Sequence, residues 1–170
     1  MELEDYIRDV PDFPVEGVLF KDITPLLKDP PAFREAIDRL AGRYAGVDVD
    51  CVVGIDARGF FLAAPLAFVM GKPMVPVRKE GKLPSETYRV KYELEYGFDA
   101  VEVHRDAINA GDRVLIVDDL LATGGTMAAA AKLVEQAGGR VAGIAVLVEL
   151  TDLDGRSRLE GYDVYSLIQF

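Results

Sequence analysis

The segment from Val114 to Thr126 constrains the fold of this chain most strongly. Four apolar residues, Val114 to Val117, predict a short buried strand, and two adjacent acids, Asp118 and Asp119, follow it directly. A Thr-Gly-Gly-Thr turn then leads into an alanine-rich stretch that predicts a helix over residues 126–137. Strand, tight turn and helix in this order form the repeating unit of α/β proteins, so we expect an α/β fold.

The same alternation of strands and helices runs through most of the chain. Residues 1–28 contain several proline turns and are expected to be irregular. A first helix is predicted to start at Asp29 and Pro30, with Asp29 as its N-cap. A buried helix is predicted over 60–70, and strands over 51–55, 74–77, 88–96, 113–117, 141–147 and 164–168. This order predicts a central, mainly parallel sheet flanked by helices.

Length and charge narrow the class of protein. A chain of 170 residues is expected to form one domain over 1–170. The 19 basic and 29 acidic residues give a net charge of −10, which argues against nucleic-acid or anionic-membrane partners. The acidic N-terminus does not resemble a signal peptide, and the apolar run over 60–70 is too short to span a bilayer. We therefore expect a cytoplasmic protein.

Three polar or glycine-rich loops follow predicted strands, at 56–59, 78–86 and 118–126. Ligands of such sheets bind where the carboxyl ends of the strands meet, so these loops are expected to converge on one site. Glycines, threonine hydroxyls and a helix start in 118–126 suit a phosphate group. No lysine follows the glycines as in a Walker loop. An ordinary capped turn is the alternative, but adjacent carboxylates repel unless a ligand or cation satisfies them.

Residues 118–126, Asp-Asp-Leu-Leu-Ala-Thr-Gly-Gly-Thr, resemble the phosphoribosyl-pyrophosphate motif of type I phosphoribosyltransferases. They resemble most the form of this motif in the branch that uses adenine. Further segments resemble the same branch, in the same order and over nearly the whole chain. They are Pro11–Pro14, Gly17–Pro25, Ala57–Phe60, Val77–Lys79, Gly81–Pro84 and Tyr92–Gly97.

The resemblance implies the type I phosphoribosyltransferase fold, with a small hood built from about residues 1–28 and a flexible lid over about 79–97. It implies that adenine and 5-phosphoribosyl 1-pyrophosphate react to give AMP and pyrophosphate, with Mg²⁺ bound through the substrate. In the sequence itself, no cluster of His, Cys and Asp indicates a permanent protein metal site. It also implies a homodimer, and a non-proline cis peptide at or beside Asp56–Ala57.

Roles for single residues follow from the resemblance. The 5′-phosphate is assigned to Ala122, Thr123, Gly124, Gly125 and Thr126, and the ribose hydroxyls to Asp118 and Asp119. The pyrophosphate is assigned to Arg58, Gly59, Arg78, Lys79 and Lys82. Residues 78–91 hold five basic and two acidic residues, which could otherwise be a solvated charge run.

Adenine is assigned to the backbone of Leu19 and Lys21, with Phe20 and Arg58 packing nearby. Glu95 is the catalytic candidate, a carboxyl group that would hydrogen-bond adenine N7 as N9 attacks. Tyr96 would cover the site when the lid closes.

Two alternative functions and two isolated residues remain. The chain could act on another base (hypoxanthine, guanine, xanthine or orotate), or sense phosphoribosyl pyrophosphate as a non-catalytic regulator. His104 and Cys51 are interpreted as a strand-face residue and a core residue, respectively.

Overall fold

A computed structural model of the chain describes residues 1–94 and 96–170. The strands are β1 (Arg8–Pro11), β2 (Leu19–Asp22), β3 (Cys51–Ile55), β4 (Met74–Lys79), β5 (Thr87–Glu93), β6 (Phe98–His104), β7 (Arg113–Leu121), β8 (Arg140–Glu149) and β9 (Val164–Gln169). The α-helices are α1 (Thr24–Lys28), α2 (Pro30–Arg43), α3 (Phe60–Met70) and α4 (Gly125–Gln136). Short 3₁₀ helices cover Leu3–Tyr6, Thr151–Leu153 and Gly155–Arg158.

A seven-stranded sheet forms the centre, in the order β5-β6-β4-β3-β7-β8-β9. The five strands from β4 to β9 in this order are parallel, whereas β5 and β6 form an antiparallel hairpin beside β4. The predicted strands that carry Val52, Val75 and Val114 are therefore three neighbours in one sheet. The expected central, mainly parallel sheet is confirmed.

Alternating residues of the central strands pack on opposite faces of the sheet. Val52 and Leu115 belong to the core cluster that includes residues of α1, α2 and α3. Val53 and Ile116, the next residues along the same strands, belong to a second cluster with α4. Helices thus cover both faces, which is why these strands are almost continuously apolar.

The start of α2 matches its prediction. Asp29 is the N-cap, and its side chain accepts a hydrogen bond from the Ala32 N–H at 2.9 Å. The expectation that 1–28 is irregular is wrong in part, because β1 and β2 pair as an antiparallel hairpin. Ion pairs across the hairpin, Arg8 with Asp22 at 2.9 Å and Lys21 with Asp9 at 2.6 Å, help to stabilise it.

Helix α3 has the predicted bounds, but the expectation that it is buried is wrong for one face. Phe68 is 86% exposed, Val69 55% and Phe61 51%, whereas Leu62 and Leu66 are fully buried. The helix is apolar all round although only one side packs on the sheet, so its outer face presents large apolar side chains to the surface.

Strand β7 is longer than predicted. The strand expected over 113–117 continues to Leu121, so Asp118 and Asp119 lie within it and not in the loop that follows. Their backbone pairs with β8, where Asp118 stands opposite Val146. In contrast, β5 ends at Glu93, earlier than the predicted end of the alternation at residue 96.

Three smaller expectations have an outcome. No helix in the described ranges is long and apolar enough to cross a membrane. Cys51 is buried in the core, as predicted, and burial raises the pKa of its thiol to about 11. His104 lies on β6, where its Nε2 accepts a hydrogen bond from the Ser85 N–H at 3.4 Å.

Candidate active site

A cavity of about 480 Å³ opens at the carboxyl ends of β3, β4 and β7. Its lining comes from two of the predicted loops, 56–58 and 118–126, and from Lys79, Tyr92, Leu94 and Asp99. The expected convergence of three loops is thus confirmed for 56–59 and 118–126. The loop over 78–86 reaches the cavity only through Lys79.

The acidic pair forms the floor of this cavity. Asp119 is buried, and its carboxylate makes an ion pair with Arg58 at 3.0 Å between Nε and Oδ2. Asp118 is half-buried, and its Oδ1 accepts a hydrogen bond from the Asp119 N–H at 2.8 Å. Burial among the surrounding groups, and then the neighbouring charge of Asp119, raise the pKa of Asp118 well above its usual range.

Gly59 brings the 56–59 loop against the acidic pair. A Cβ at this position would lie 2.5 Å from the carbonyl oxygen of Ile55 and 2.8 Å from Oδ1 of Asp118, so a side chain would push the loop away. The Asp56–Ala57 peptide in the same loop is cis, as the resemblance implies.

The turn that follows the acids places its glycines at the start of α4. Gly124 has a φ of +87°, in the left-handed region that favours glycine, and α4 begins at Gly125. Ala122 to Thr126 all line the cavity. A helix of 12 residues therefore directs its N-terminal N–H groups and the positive end of its dipole towards the cavity.

The basic residues assigned to the pyrophosphate are not all at the cavity. Arg58 and Lys79 line it, and both are exposed. The Arg78 guanidinium makes an ion pair with Asp56 at 3.2 Å, which holds the end of β4 against the 56–59 loop. Lys82 is exposed in the turn after β4 and is not part of the cavity lining.

Arg58 also connects this cavity to the N-terminal hairpin. Its guanidinium carbon lies 5.0 Å from the ring centroid of Phe20, and Phe20 packs edge-on against Phe13 at 5.1 Å. A second cavity of about 420 Å³, mostly apolar, lies on this side and is lined by Phe13, Phe20, Phe61 and Arg58 among others. Leu19 is half-exposed, and Lys21 is held by Asp9 and by the ring of Phe170 at 3.8 Å.

The end of β5 and the lid supply the remaining candidates. Glu95 lies outside the described residues, and Tyr96 is 89% exposed. Tyr92 and Asp99, which sequence reasoning did not assign to the site, both line the cavity. Tyr92 lies on the half-buried face of the predicted alternation and begins the Tyr92–Gly97 segment that carries the resemblance, and these two signals could have indicated it.

Comparison with known proteins agrees with the site. The family model for the phosphoribosyl transferase domain matches residues 26–168. The chain belongs to the phosphoribosyltransferase family. Within it, an adenine phosphoribosyltransferase from Halothermothrix orenii is 54% identical over 169 residues, 99% of each chain.

Solved structures of the same branch of the phosphoribosyltransferases superpose closely. The crystal structure of adenine phosphoribosyltransferase from Thermoanaerobacter pseudethanolicus is 56% identical, with a TM-score of 0.97 and coverage of 99% of this chain and 98% of that one. The Saccharomyces cerevisiae enzyme, complexed with an imino-altritol bisphosphate and adenine, is 42% identical, with a TM-score of 0.92 and coverage of 98% and 96%. The sheet described above is thus the type I phosphoribosyltransferase fold.

The N-terminal hairpin is covered by the matches to whole adenine phosphoribosyltransferases but not by the match to the general family model. Residues 1–25, with β1 and β2, precede the stretch that the general family model matches. The adenine phosphoribosyltransferases, in contrast, match 99% of the chain and so include the hairpin. The chain is therefore similar to that branch in the hairpin beside Arg58 as well as in the sheet.

Proposed function

We infer that the chain is an adenine phosphoribosyltransferase: N9 of adenine attacks the anomeric carbon of phosphoribosyl pyrophosphate, the bond to the pyrophosphate oxygen breaks, and AMP and pyrophosphate form. The observation that carries this proposal is the position of Arg58. Its guanidinium contacts the Phe20 ring of the hairpin on one side and Asp119 on the other. The hairpin, where we place the base, therefore adjoins the acidic pair, where we place the sugar. Both partners of a base transfer would meet there.

The floor suits the sugar phosphate. In our proposal Ala122 to Thr126 hold the 5′-phosphate with backbone N–H groups and threonine hydroxyls, and Asp118 and Asp119 accept hydrogen bonds from the ribose hydroxyls. The departing pyrophosphate leaves positive charge on the ribose, and two carboxylates beside that charge stabilise the transition state more than the ground state.

The pyrophosphate needs cations, which we assign to Arg58, Lys79 and Lys82, with Gly59 allowing the 56–59 loop to lie against Asp118. Arg78 acts mainly by holding Asp56, to which its guanidinium is bound. The lid over 79–97 would have to close to bring Lys82 to the leaving group, because this lysine is outside the cavity lining in the present structure.

The side chains fit a Mg²⁺ ion that enters with the substrate. Asp118 and Asp119 offer the oxygen ligands that Mg²⁺ prefers, and this ion is commonly held by one or two carboxylates together with substrate phosphates. In the described ranges there is no group of three or more His, Cys, Asp or Glu side chains that could hold a metal without the substrate. When bound, the ion would neutralise charge on the pyrophosphate.

Adenine is proposed to lie against the hood, residues 1–28. Leu19 and Lys21 flank Phe20 on β2, and we propose that their backbone groups read the purine edge while the Phe20 ring packs on its face. A related protein of this branch, from Saccharomyces cerevisiae, has been crystallised with adenine, which supports the base. Glu95 is proposed as the general acid at N7, and Tyr96 as a cover over the closed site.

The exposed face of α3 supports the homodimer that the family resemblance implies. Phe61, Phe68 and Val69 form an apolar surface of a kind that monomeric proteins rarely leave open, and a second copy of this chain is the occupant we propose. Phe68→Asp should convert the dimer to a monomer in light scattering. Phe98→Asp, at a side chain 69% exposed at the start of β6, is the matched control. A dimeric Phe68→Asp protein would contradict this interface.

The function itself is tested with a panel of bases. The protein is incubated with Mg²⁺, phosphoribosyl pyrophosphate and one of adenine, hypoxanthine, guanine, xanthine or orotate, and nucleotide and pyrophosphate are measured. AMP should form and the other nucleotides should not. Binding of phosphoribosyl pyrophosphate without turnover of any base would favour the regulator instead. The cytoplasmic location expected from the sequence stays a prediction, which fractionation of cells can test.

A further inference from the structure

Glu149 is a buried charged residue that the proposed mechanism does not use. It ends β8, is 4% exposed, and receives two short bonds from Arg156, Nε to Oε2 and Nη2 to Oε1, both at 2.8 Å. The Ser166 hydroxyl donates to the same carboxylate at 2.7 Å. Hydrogen bonds from Arg156, foremost, hold the pKa of Glu149 below its usual range. Arg156 is fixed further, because Nη1 donates to the carbonyl of Val164 at 3.0 Å.

This network fixes a segment that touches the 5′-phosphate turn. Gly155, the neighbour of Arg156, is buried against Gly124 of the turn. A Cβ on Gly124 would lie 2.6 Å from the Gly155 carbonyl oxygen, and a Cβ on Gly155 would lie 2.5 Å from the Ala122 carbonyl oxygen. The two segments are therefore in direct backbone contact, with no side chain between them.

Besides this contact, a backbone hydrogen bond joins the two segments near Glu149. The N–H of Leu150, next to Glu149, donates to the carbonyl of Leu121 at 3.0 Å, immediately before the turn begins. The stretch from Glu149 to Arg156 thus contacts the turn at Leu121, Ala122 and Gly124. The Glu149–Arg156 ion pair closes this stretch into a loop, because Glu149 is its first residue and Arg156 its last.

We propose that Glu149 and Arg156 are positioning residues for the 5′-phosphate of the substrate. The inference rests on the proposed function, in which Ala122 to Thr126 bind that phosphate. A phosphate held by backbone N–H groups requires those groups to converge within fractions of an ångström, and Gly124 and Gly125 have no side chains that could fix this part of the turn. The Glu149–Arg156 ion pair fixes Gly155, and Gly155 packs against the turn on the side away from the cavity.

The test is Arg156→Lys, which keeps the charge but loses the bidentate bond. Its matched control is Arg113→Lys, because Arg113 makes an equally bidentate pair with Asp50, at 3.0 and 3.2 Å, at the opposite end of β7. Arg156→Lys should raise KM for phosphoribosyl pyrophosphate and Kd for ribose 5-phosphate about 10-fold, as loss of a supporting contact commonly does. KM for adenine should stay within about 2-fold, and Arg113→Lys should change none of the three.

Equal shifts for adenine and for the phosphate ligands, or no shift for either, would overturn the proposal. If Arg156→Lys does not fold, Ser166→Ala is the second test. The Ser166 hydroxyl donates to Glu149 at 2.7 Å and accepts a hydrogen bond from Nη2 of Arg156 at 3.3 Å, so its removal loosens the network at both charged residues. A higher Kd for ribose 5-phosphate then supports positioning, and an unchanged Kd overturns it. Turnover of adenine by the wild type is measured beside each variant. If the wild type itself does not turn over adenine, the proposed function fails, and this result is distinct from a failure of the positioning role.

Discussion

The hydroxyl of Thr126, in the 5′-phosphate turn, donates a hydrogen bond to the hydroxyl of Tyr92, with 3.3 Å between the two oxygens. Tyr92 lies on β5, three residues before the catalytic candidate Glu95, and its own hydroxyl donates to Asp99 at 3.4 Å. A strand of the lid is therefore tied to the residue expected to bind the phosphate. Binding of the sugar phosphate and placement of the lid share this contact.

Tyr92→Phe should weaken binding of the sugar phosphate, because Thr126 loses the partner that orients its hydroxyl. We expect KM for phosphoribosyl pyrophosphate to rise about 2- to 10-fold, the range of one hydrogen bond's net contribution. Steady-state kinetics in both substrates measures it. Tyr88→Phe, four residues earlier on the same face of β5, is the control and should resemble wild type. An unchanged KM in Tyr92→Phe would mean that the bond is incidental.

Asp118→Asn should stabilise the empty protein while it lowers turnover. Asp118 has a raised pKa because its carboxylate is held among protein groups next to Asp119, so the ionised form is unfavourable in the folded state. An amide removes that cost but no longer faces the cationic ribose carbon with a negative charge. We expect the melting temperature to rise by roughly 2–4 °C, the shift that about 1 kcal/mol produces in a domain of this size.

The pH dependence of this effect has a definite sign. Between the unfolded pKa of 3.8 and the higher folded value, the native state holds a proton that the unfolded state has lost. Stability of the wild type therefore falls as pH rises through this window, whereas Asp118→Asn has no such group. The difference in melting temperature between variant and wild type should grow from about pH 4 upwards. A difference that is constant with pH would exclude ionisation of Asp118 as the cause.

The sequence predicts the parts of the site that local pattern encodes. The apolar run before Asp118, the glycines of the turn and the proline at the start of α2 all act on their own segment, and each was confirmed. The extra length of β7 was not predictable in this way. Asp118 and Asp119 are poor strand residues, and they extend the strand only because β8 pairs beside them.

Contacts between distant segments were missed for the same reason. The β1–β2 hairpin joins strands separated by a long turn, and Gly155 meets Gly124 from 31 positions further along the chain. The outer face of α3 could not be predicted either, because a helix that is apolar all round gives no periodicity to show which side packs on the sheet.

The lid over 79–97 should be protected from proteolysis by substrate. Its loop is largely exposed, and Lys82 and Pro84 are both exposed. Trypsin should therefore cut after Lys82 in the empty protein, and AMP with pyrophosphate should slow this cut about 10-fold or more. Cleavage after Arg43, at the end of α2 and outside the site, is the control. Equal slowing at both positions would indicate general stabilisation instead of closure.

Glu95→Gln should separate chemistry from binding. The amide keeps the shape of the side chain but cannot donate or accept a proton by titration, so turnover should fall about 10²- to 10⁴-fold while KM for adenine rises only modestly. Glu93→Gln is the matched control, because Glu93 is an exposed acid at the end of β5, two residues earlier in the same lid. It should stay near wild type in both parameters, measured with saturating phosphoribosyl pyrophosphate. If Glu93→Gln is as damaging as Glu95→Gln, the negative charge of the lid as a whole is what matters, and the assignment of a single general acid is wrong.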